Sequence, residues 1–405
     1  VRNDEGRATT SAELRAHNLA RLLRAVHDGG GKQTRAELTR QLGLARGTAT
    51  VLVRELAGQE LISELPVSEL SAERSPRSRG RPTGVPSAHR SGPVALAVDL
   101  RDDSFTTAAF ELTGRCHLLD RCERDFRDGT EVLTQVAAAL GRYRRKFKGR
   151  VIGTGVAVPS PLSGGKMVQP TLADWRGVDV AERLGSKQPA VIRVGNDATL
   201  AGLAEARRGA LTDVSVALHL HAATGIGGVL LTGGQPVAGA RGSAGEFGHM
   251  PLTGGDEPCR CGSAGCWELA AGARGLLREA GLPERGDRME TAARLIATAS
   301  TDRTSARAVA YAATALGRGI GALVNAHDPE AVGLSGLAAS LLEAAPDAVR
   351  QAYLTALMRY RRDNPPPLLA STLGSLGALT GAAELVFDAF LTPRGLAAWQ
   401  LRKIA

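Results

Sequence analysis

The sequence predicts an α/β fold preceded by a small helical domain, and three observations carry that prediction. Residues 11–62 place apolar side chains at helical spacing in three short runs. From Val94 onward, strand-length apolar runs alternate with helical patterns. Between the two textures, residues 63–92 are rich in Ser, Pro, Arg and Gly and lack periodicity, which marks an exposed wing and linker.

The first domain is predicted over residues 1–90. Ala12–His27 puts Leu14, Leu19, Leu22, Leu23 and Val26 on one helical face, and Gly29-Gly30-Gly31 ends it. Thr34 to Glu37 reads as a capping box opening a short helix that stops at Gly43. A further helix runs from about Ala45 to Gln59, with Leu44, Ala49, Leu52, Val53 and Leu56 facing inward. Helix, glycine turn, helix and wing make a winged helix-turn-helix, whose second helix enters the DNA major groove N-terminus first.

The residues expected at base edges are therefore Arg46, Gly47, Thr48 and Thr50. Arg46 can bond a guanine through two hydrogen bonds, and threonine suits a phosphate or a thymine methyl. Gly47 leaves the helix bare for close approach. Arg35 and Arg54 are expected at phosphates. Arg79 and Arg81, within Arg79-Gly80-Arg81-Pro82, suit a narrow minor groove. The charge agrees, since residues 1–90 hold 15 Arg and Lys against 10 Asp and Glu in a chain of net charge +9. The alternative is a three-helix module for protein contacts.

The rest of the 405 residues are long enough for a substantial core, at 43% hydrophobic and 22% charged. Strands are expected at Val94–Leu100, Ser104–Leu112, Val151–Val158, Ala190–Val194, Val214–Leu220 and Gly228–Leu231. After Arg274 the pattern is helical, with strand-like Ala331–Leu334 inserted. No run of 18 apolar residues suggests a membrane span. Arg7, Arg15, Arg21 and Arg24 interrupt any signal-peptide core, so a cytoplasmic location is the expectation.

Five cysteines are present, of which Cys116 and Cys122 stand apart and Cys259, Cys261 and Cys266 cluster. With His249 the spacing is H-x9-C-x-C-x4-C, over residues 249–266. Three thiolates and one imidazole complete a closed tetrahedral zinc site of the structural kind. Gly254, Gly255, Gly262 and Gly265 let a short loop wrap the ion. The plainer alternative is buried free thiols.

Gly195-Asn196-Asp197-Ala198 follows a predicted strand, where α/β folds put ligands. Asn196 and Asp197 offer donors and acceptors suited to vicinal hydroxyls. They would equally serve as a helix cap.

Gly245-Glu246-Phe247-Gly248-His249, followed by Cys-x-Cys-Gly-x-x-Gly-Cys-Trp-Glu, resembles the signature of the ROK family of repressors, open reading frames and kinases. Its members are sugar kinases and sugar-responsive repressors. The resemblance implies a two-lobed actin/hexokinase-like (ribonuclease H-like) domain over residues 91–405, with lobes of roughly 91–200 and 201–405. The N-terminal part resembles the winged domain of the repressor branch, including Gly80-Arg81-Pro82 before the first strand. Asp197 then holds the position of the kinases' general base. Glu246, His249 and Glu268 complete the hydroxyl contacts, His249 using one ring nitrogen on zinc and the other on sugar. Two departures stand out: Pro159-Ser160-Pro161 for the family's Pro-Gly-Pro, and Thr171-Leu172 for its Asn-Leu ahead of Trp175.

Family kinases carry Asp-x-Gly-Gly-Thr at the end of the first strand, a turn that bares amides to phosphate. Here that segment is Asp99-Leu100-Arg101-Asp102-Asp103-Ser104. Added carboxylates would repel phosphates. Thr224-Gly225-Ile226-Gly227-Gly228 keeps part of a second phosphate loop, read as an inherited hinge between lobes, and Ser335-Gly336 replaces a Gly-Gly. The expectation is a regulator with no catalytic residue. Its expected partners are operator DNA and a sugar or sugar-phosphate effector, as a homodimer or homotetramer with no membrane role. An active glucokinase-like enzyme with an added DNA-binding domain is the alternative. A core that binds a regulatory partner protein is a third reading.

Overall fold

The computed structural model describes residues 10–66, 84–101, 104–123, 129–168, 175–185, 191–284 and 287–404. It divides into two compact units, Val1–Val156 with Ala181–Val194 and Ala382–Ala405, and Ala157–Val180 with Gly195–Gly381.

The first unit opens with α1 (Ser11–Asp28), α2 (Arg35–Gln41) and α3 (Arg46–Gly58). The capping box at Thr34 forms, with Glu37 N donating to Thr34 Oγ1 at 3.2 Å and Thr34 N donating to Glu37 at 2.7 Å. Thr10 and Glu13 form a second such box ahead of α1. Gly43 holds the turn between α2 and α3 at φ +63. A Cβ there would meet nothing within 4 Å, so the glycine serves the backbone angle alone. Leu22, Leu23, Leu38, Leu52, Val53 and Leu56 bury the inner faces. Leu14, in the first turn of α1, departs from expectation at 53% exposed.

The stretch read as aperiodic wing and linker contains paired structure. β1 (Ile62–Leu65) pairs antiparallel with β2 (Val85–Ala88), Leu65 facing Val85. Val85 is buried, so this end of the segment is part of the core and not exposed linker. Arg79 and Arg81 lie outside the described residues.

The same unit holds most of a five-stranded sheet of order β5-β4-β3-β6-β9, whose last two strands end within the second unit's residues. Its strands are β3 (Val94–Leu100), β4 (Ser104–Glu111), β5 (Cys116–Glu123), β6 (Val151–Val158) and β9 (Val191–Asn196). β3, β4 and β5 form an antiparallel meander, with Asp99 opposite Thr106. β3 is buried along its full length. α4 (Gly129–Lys146) and α5 (Val180–Gly185) lie between strands in sequence.

The second unit has a second five-stranded sheet of order β12-β11-β10-β13-β14. β10 (Val216–Ala222) and β11 (Ile226–Thr232) form a hairpin, β12 (Gln235–Pro236) extends it, and β13 (Ala331–Gly336) runs parallel to β10. β14 (Leu368–Ala370), too short for a sequence pattern, is parallel to β13. β7 (Leu162–Ser163) and β8 (Lys166–Met167) form a small separate pair.

The helices of this unit are α6 (Asp197–Arg208), α7 (Glu268–Ala271), α8 (Ala273–Glu279), α9 (Arg288–Thr298), α10 (Arg303–His327), α11 (Leu337–Ala344) and α12 (Pro346–Ala356). α7 to α12 build a core around Trp267, Leu276, Leu316, Ile320 and Val332, while α6 packs on β10 and β11. α13 (Gly377–Phe390) begins in the second unit and continues into the first, where α14 (Pro393–Ile404) follows. No single helix among the described residues is long and apolar enough to cross a membrane.

Candidate functional site

α3 presents the predicted recognition residues. Arg46, Gly47, Thr48 and Arg54 are exposed, while Ala49, Leu52 and Val53 face the core. A Cβ on Gly47 would meet nothing within 4 Å, and its φ is not positive, so neither packing nor backbone angle calls for glycine. Thr50 donates its hydroxyl to Arg46 O at 2.9 Å, which leaves its methyl group as the surface it offers. Arg35 lies 3.3 Å from Glu64 on β1, so its charge is partly engaged within the domain. Sequence reading missed Val51, 48% exposed one turn after Gly47, an apolar group suited to a thymine methyl. In the sequence its apolar character makes it look like a core position.

The second site lies wholly in the second unit. Asn196 caps α6, its side chain accepting from Thr199 N at 3.0 Å. Asn196 Nδ2 also donates to Asp197 Oδ1 at 3.0 Å and Ser160 O at 3.4 Å. Asp197 Oδ1 accepts from Ala198 N at 2.8 Å. The cap reading and the loop position hold together, since capping fixes the orientation of both side chains. Ser160 is accommodated at the departure from Pro-Gly-Pro, because no positive φ occurs there. Thr171 and Leu172 lie outside the described residues.

Glu246, His249 and the cysteines come from a 3-10 turn at Phe247–His249 and the loop before α7. The turn is pressed onto β11 through glycine: a Cβ at Gly245 would lie 2.1 Å from Gly228 O, and Gly245 has φ +97. Trp267 anchors the far side, donating Nε1 to Ala315 O at 2.8 Å, and so sets Glu268 at the start of α7. A Cβ on Gly225 would lie 2.3 Å from Glu268 Oε2. The Gly-rich loop read as an interlobe hinge thus lies inside the second unit, where at least one of its glycines makes room for a carboxylate.

The four expected ligand atoms of His249, Cys259, Cys261 and Cys266 lie within 4.8 Å of one another. A tetrahedral zinc with Zn–S of about 2.3 Å and Zn–N of about 2.0 Å sets its donors about 3.4–3.8 Å apart. Here Cys261 and Cys266 sulfurs are 3.6 Å apart, and Cys259 Sγ is 3.7 Å from His249 Nδ1. The donor set fits a tetrahedral metal ion. Burial pushes the Cys259 thiol up to about 12, with Glu268 adding to the effect, and raises Cys266 as well. A bound dication would favour the thiolates instead.

Three carboxylates converge beside this cluster. His249 Nε2 is 3.9 Å from Glu246 Oε2, and its Nδ1 is 3.8 Å from Glu268 Oε1. Burial first, then the charges of Asp197 and Glu268, push the Glu246 carboxyl up to about 7. Near neutral pH such a carboxyl exists in both forms, so the group offers a donor as well as acceptors, the mixture that neutral hydroxyl groups need. In the first unit, Asp99 is buried and its Oδ2 takes Arg101 Nε and Nη2, each at 3.0 Å.

These features define a winged helix-turn-helix joined to an α/β domain that carries a cluster of one histidine and three cysteines. The ROK family model matches residues 95–389, and the chain belongs to the ROK family. The chain is 23% identical over 365 residues to the xylose repressor of Bacillus subtilis (strain 168), spanning 88% of this chain and 92% of that one. It is 32% identical over 262 residues to kanosamine kinase of Amycolatopsis mediterranei (strain S699), spanning 62% of this chain and 82% of the kinase. Among solved structures, a ROK family transcriptional regulator, a homolog of the E. coli MLC protein, superposes with a TM-score of 0.74 at 22% identity. That match covers 96% of this chain and 99% of the other, and it extends the fold agreement through the N-terminal domain. The expected actin/hexokinase-like fold is therefore present.

Proposed function

We propose that the chain is a sugar-responsive DNA-binding transcription regulator, a repressor of carbohydrate uptake or catabolism genes, acting in the cytoplasm as a homo-oligomer. Residues 1–90 read DNA and residues 91–405 sense the effector. The observation that carries this reading is the exposed first turn of α3, where Arg46 and Thr48 flank a glycine that the fold itself does not require. A glycine there costs up to about 1 kcal/mol of helix stability, which close approach to a duplex would offset.

In this reading Asn196, Asp197, Glu246, His249 and Glu268 bind the sugar. His249, Cys259, Cys261 and Cys266 would hold a structural zinc ion, and with Nδ1 on the cysteine side His249 Nε2 would remain as an N–H donor to the sugar. Convergence of Asp197, Glu246 and Glu268 favours a neutral sugar over a sugar phosphate, whose charge they would oppose. The Arg101 guanidinium on Asp99 favours a regulator over a kinase, because it engages the carboxylate that ends the first strand, where a phosphate turn would begin.

Operator selection from random DNA by the full chain tests the DNA reading, and calorimetry against D-glucose, D-xylose and N-acetyl-D-glucosamine tests the effector reading. Failure to enrich any sequence would overturn the first, and no heat with any sugar the second. The retained Asp197 and the kanosamine kinase relative favour, as a second reading, a sugar kinase with an added DNA-binding domain. Sugar-dependent ADP release well above that of an Asp197→Asn variant would establish it.

A further inference from the structure

α6 begins at Asp197 and packs backbone to backbone on the start of α13. A Cβ at Gly381 would lie 2.0 Å from Leu200 O, and one at Gly377 would lie 3.4 Å from Ala201 Cβ. The other end of α6 is tied to the segment leading into α13. Glu205, 1% exposed, accepts from Leu373 N at 3.2 Å, from Ala210 N at 2.7 Å and from the Ser371 hydroxyl. With no gap between α6 and α13 and a buried carboxylate fixing their register, α6 cannot shift without carrying the first turn of α13 with it.

Farther along, α13 meets the winged domain. Glu384 Oε2 lies 3.0 Å from His27 Nε2, and both residues are buried, at 2% and 0% exposure. His27 Nδ1 faces Leu112 O at 2.5 Å, so that nitrogen donates, and the ring sits 4.6 Å from Phe387. Asp388 Oδ1 takes Arg24 Nη1 at 2.8 Å. Glu384, Phe387 and Asp388 form one face of α13, and Arg24 and His27 one face of α1. α14 adds a grip on the recognition helix's end, with Trp399 Nε1 donating to Gln59 O at 3.0 Å.

We propose that α13 is the transmission element of this protein, with His27–Glu384 as its joint: a shift of α6 moves the start of α13, and the buried pair passes it to α1. A buried pair of this kind contributes little net stability but strongly disfavours other registers, because each partner displaced alone would be a buried polar group without its mate. The trigger, sugar at Asp197, rests on the function proposed above; the mechanical link does not.

Hydrogen exchange on the full chain tests the link without ligand or DNA. Gly381→Ala should speed exchange in α1 peptides covering Arg24–Asp28 by at least about tenfold. Gly317→Ala, a similar clash against Val349 O in α12, should leave α1 unchanged. Glu384→Leu, which cannot hydrogen-bond His27 Nε2, should speed exchange in both α1 and α6, and it decides the matter if Gly381→Ala fails to fold. Loosening confined to α13 and α6, with α1 at its wild-type rate, would overturn the proposal. In a second arm, D-glucose and D-xylose are titrated against selected operator DNA. Wild type should respond by about 5- to 150-fold. Glu384→Leu should keep its sugar affinity but respond less than about twofold. An unchanged response in Glu384→Leu would sink the joint while leaving sugar sensing intact. Silence with both sugars would count against sensing, and the exchange result would still decide the link.

Discussion

Nδ1 of His249 lies 3.7 Å from the sulfur of Cys259, which turns the opposite ring nitrogen toward Glu246. One imidazole therefore belongs to two groups at once. Purified protein should carry about one zinc per chain, and Cys259→Ser should lose it and weaken sugar binding by about 10- to 100-fold. Elemental analysis with calorimetry checks both; metal-free protein with full sugar affinity would defeat the assignment.

Gly47→Ala isolates the role of a bare helix surface. Nothing lies within 4 Å of the added methyl, so thermal stability should rise slightly, by about 0.5–1 kcal/mol. Operator affinity should fall nonetheless. A variant that is both more stable and equally tight would show that DNA does not approach this turn closely.

Arg46 and Arg54 should separate base reading from phosphate holding. Arg46→Ala is expected to cost about 1–3 kcal/mol on the selected operator and little on random DNA. Arg54→Ala should weaken both alike and reduce the salt slope by about one. Fluorescence anisotropy at several salt concentrations measures this, and equal losses for Arg46→Ala on both DNAs would remove it from the base-reading set.

Much of this is legible in the sequence, for identifiable reasons. Thr34–Glu37 and the Gly43 turn are local signals that form as read, and the H-x9-C-x-C-x4-C spacing brings its four donor residues together. Asp197 and Glu268 are far apart in sequence, and only the resemblance to a family brings them together. The Glu384–His27 pair spans 357 residues and has no local signature at all. Arg101 on Asp99 is hidden for another reason: the missing glycines are plain in the sequence, but not what the replacing side chain does.

His219 on β10 gives a pH test of the second core. It is fully buried, and burial, followed by the neighbouring charge of His221, pushes it down to about 3. In the unfolded chain it titrates near 6.5. Between those values the unfolded state binds more protons, so this contribution is complete above pH 6.5 and is lost as pH falls. Compared with His219→Phe, the native chain should lose up to about 1.4 kcal/mol per pH unit below 6.5 in urea titrations. Parallel pH profiles for the two proteins would contradict it.

The carboxylates and the histidine–cysteine cluster all belong to one unit, while α1, α2 and α3 belong to the other. On the proposed function, substitutions in one unit would retune what is sensed without touching which DNA is read, and the reverse. A chimera that exchanged residues 1–90 for those of another member should redirect its DNA target while keeping its effector, provided Arg24 and His27, which face α13, are kept.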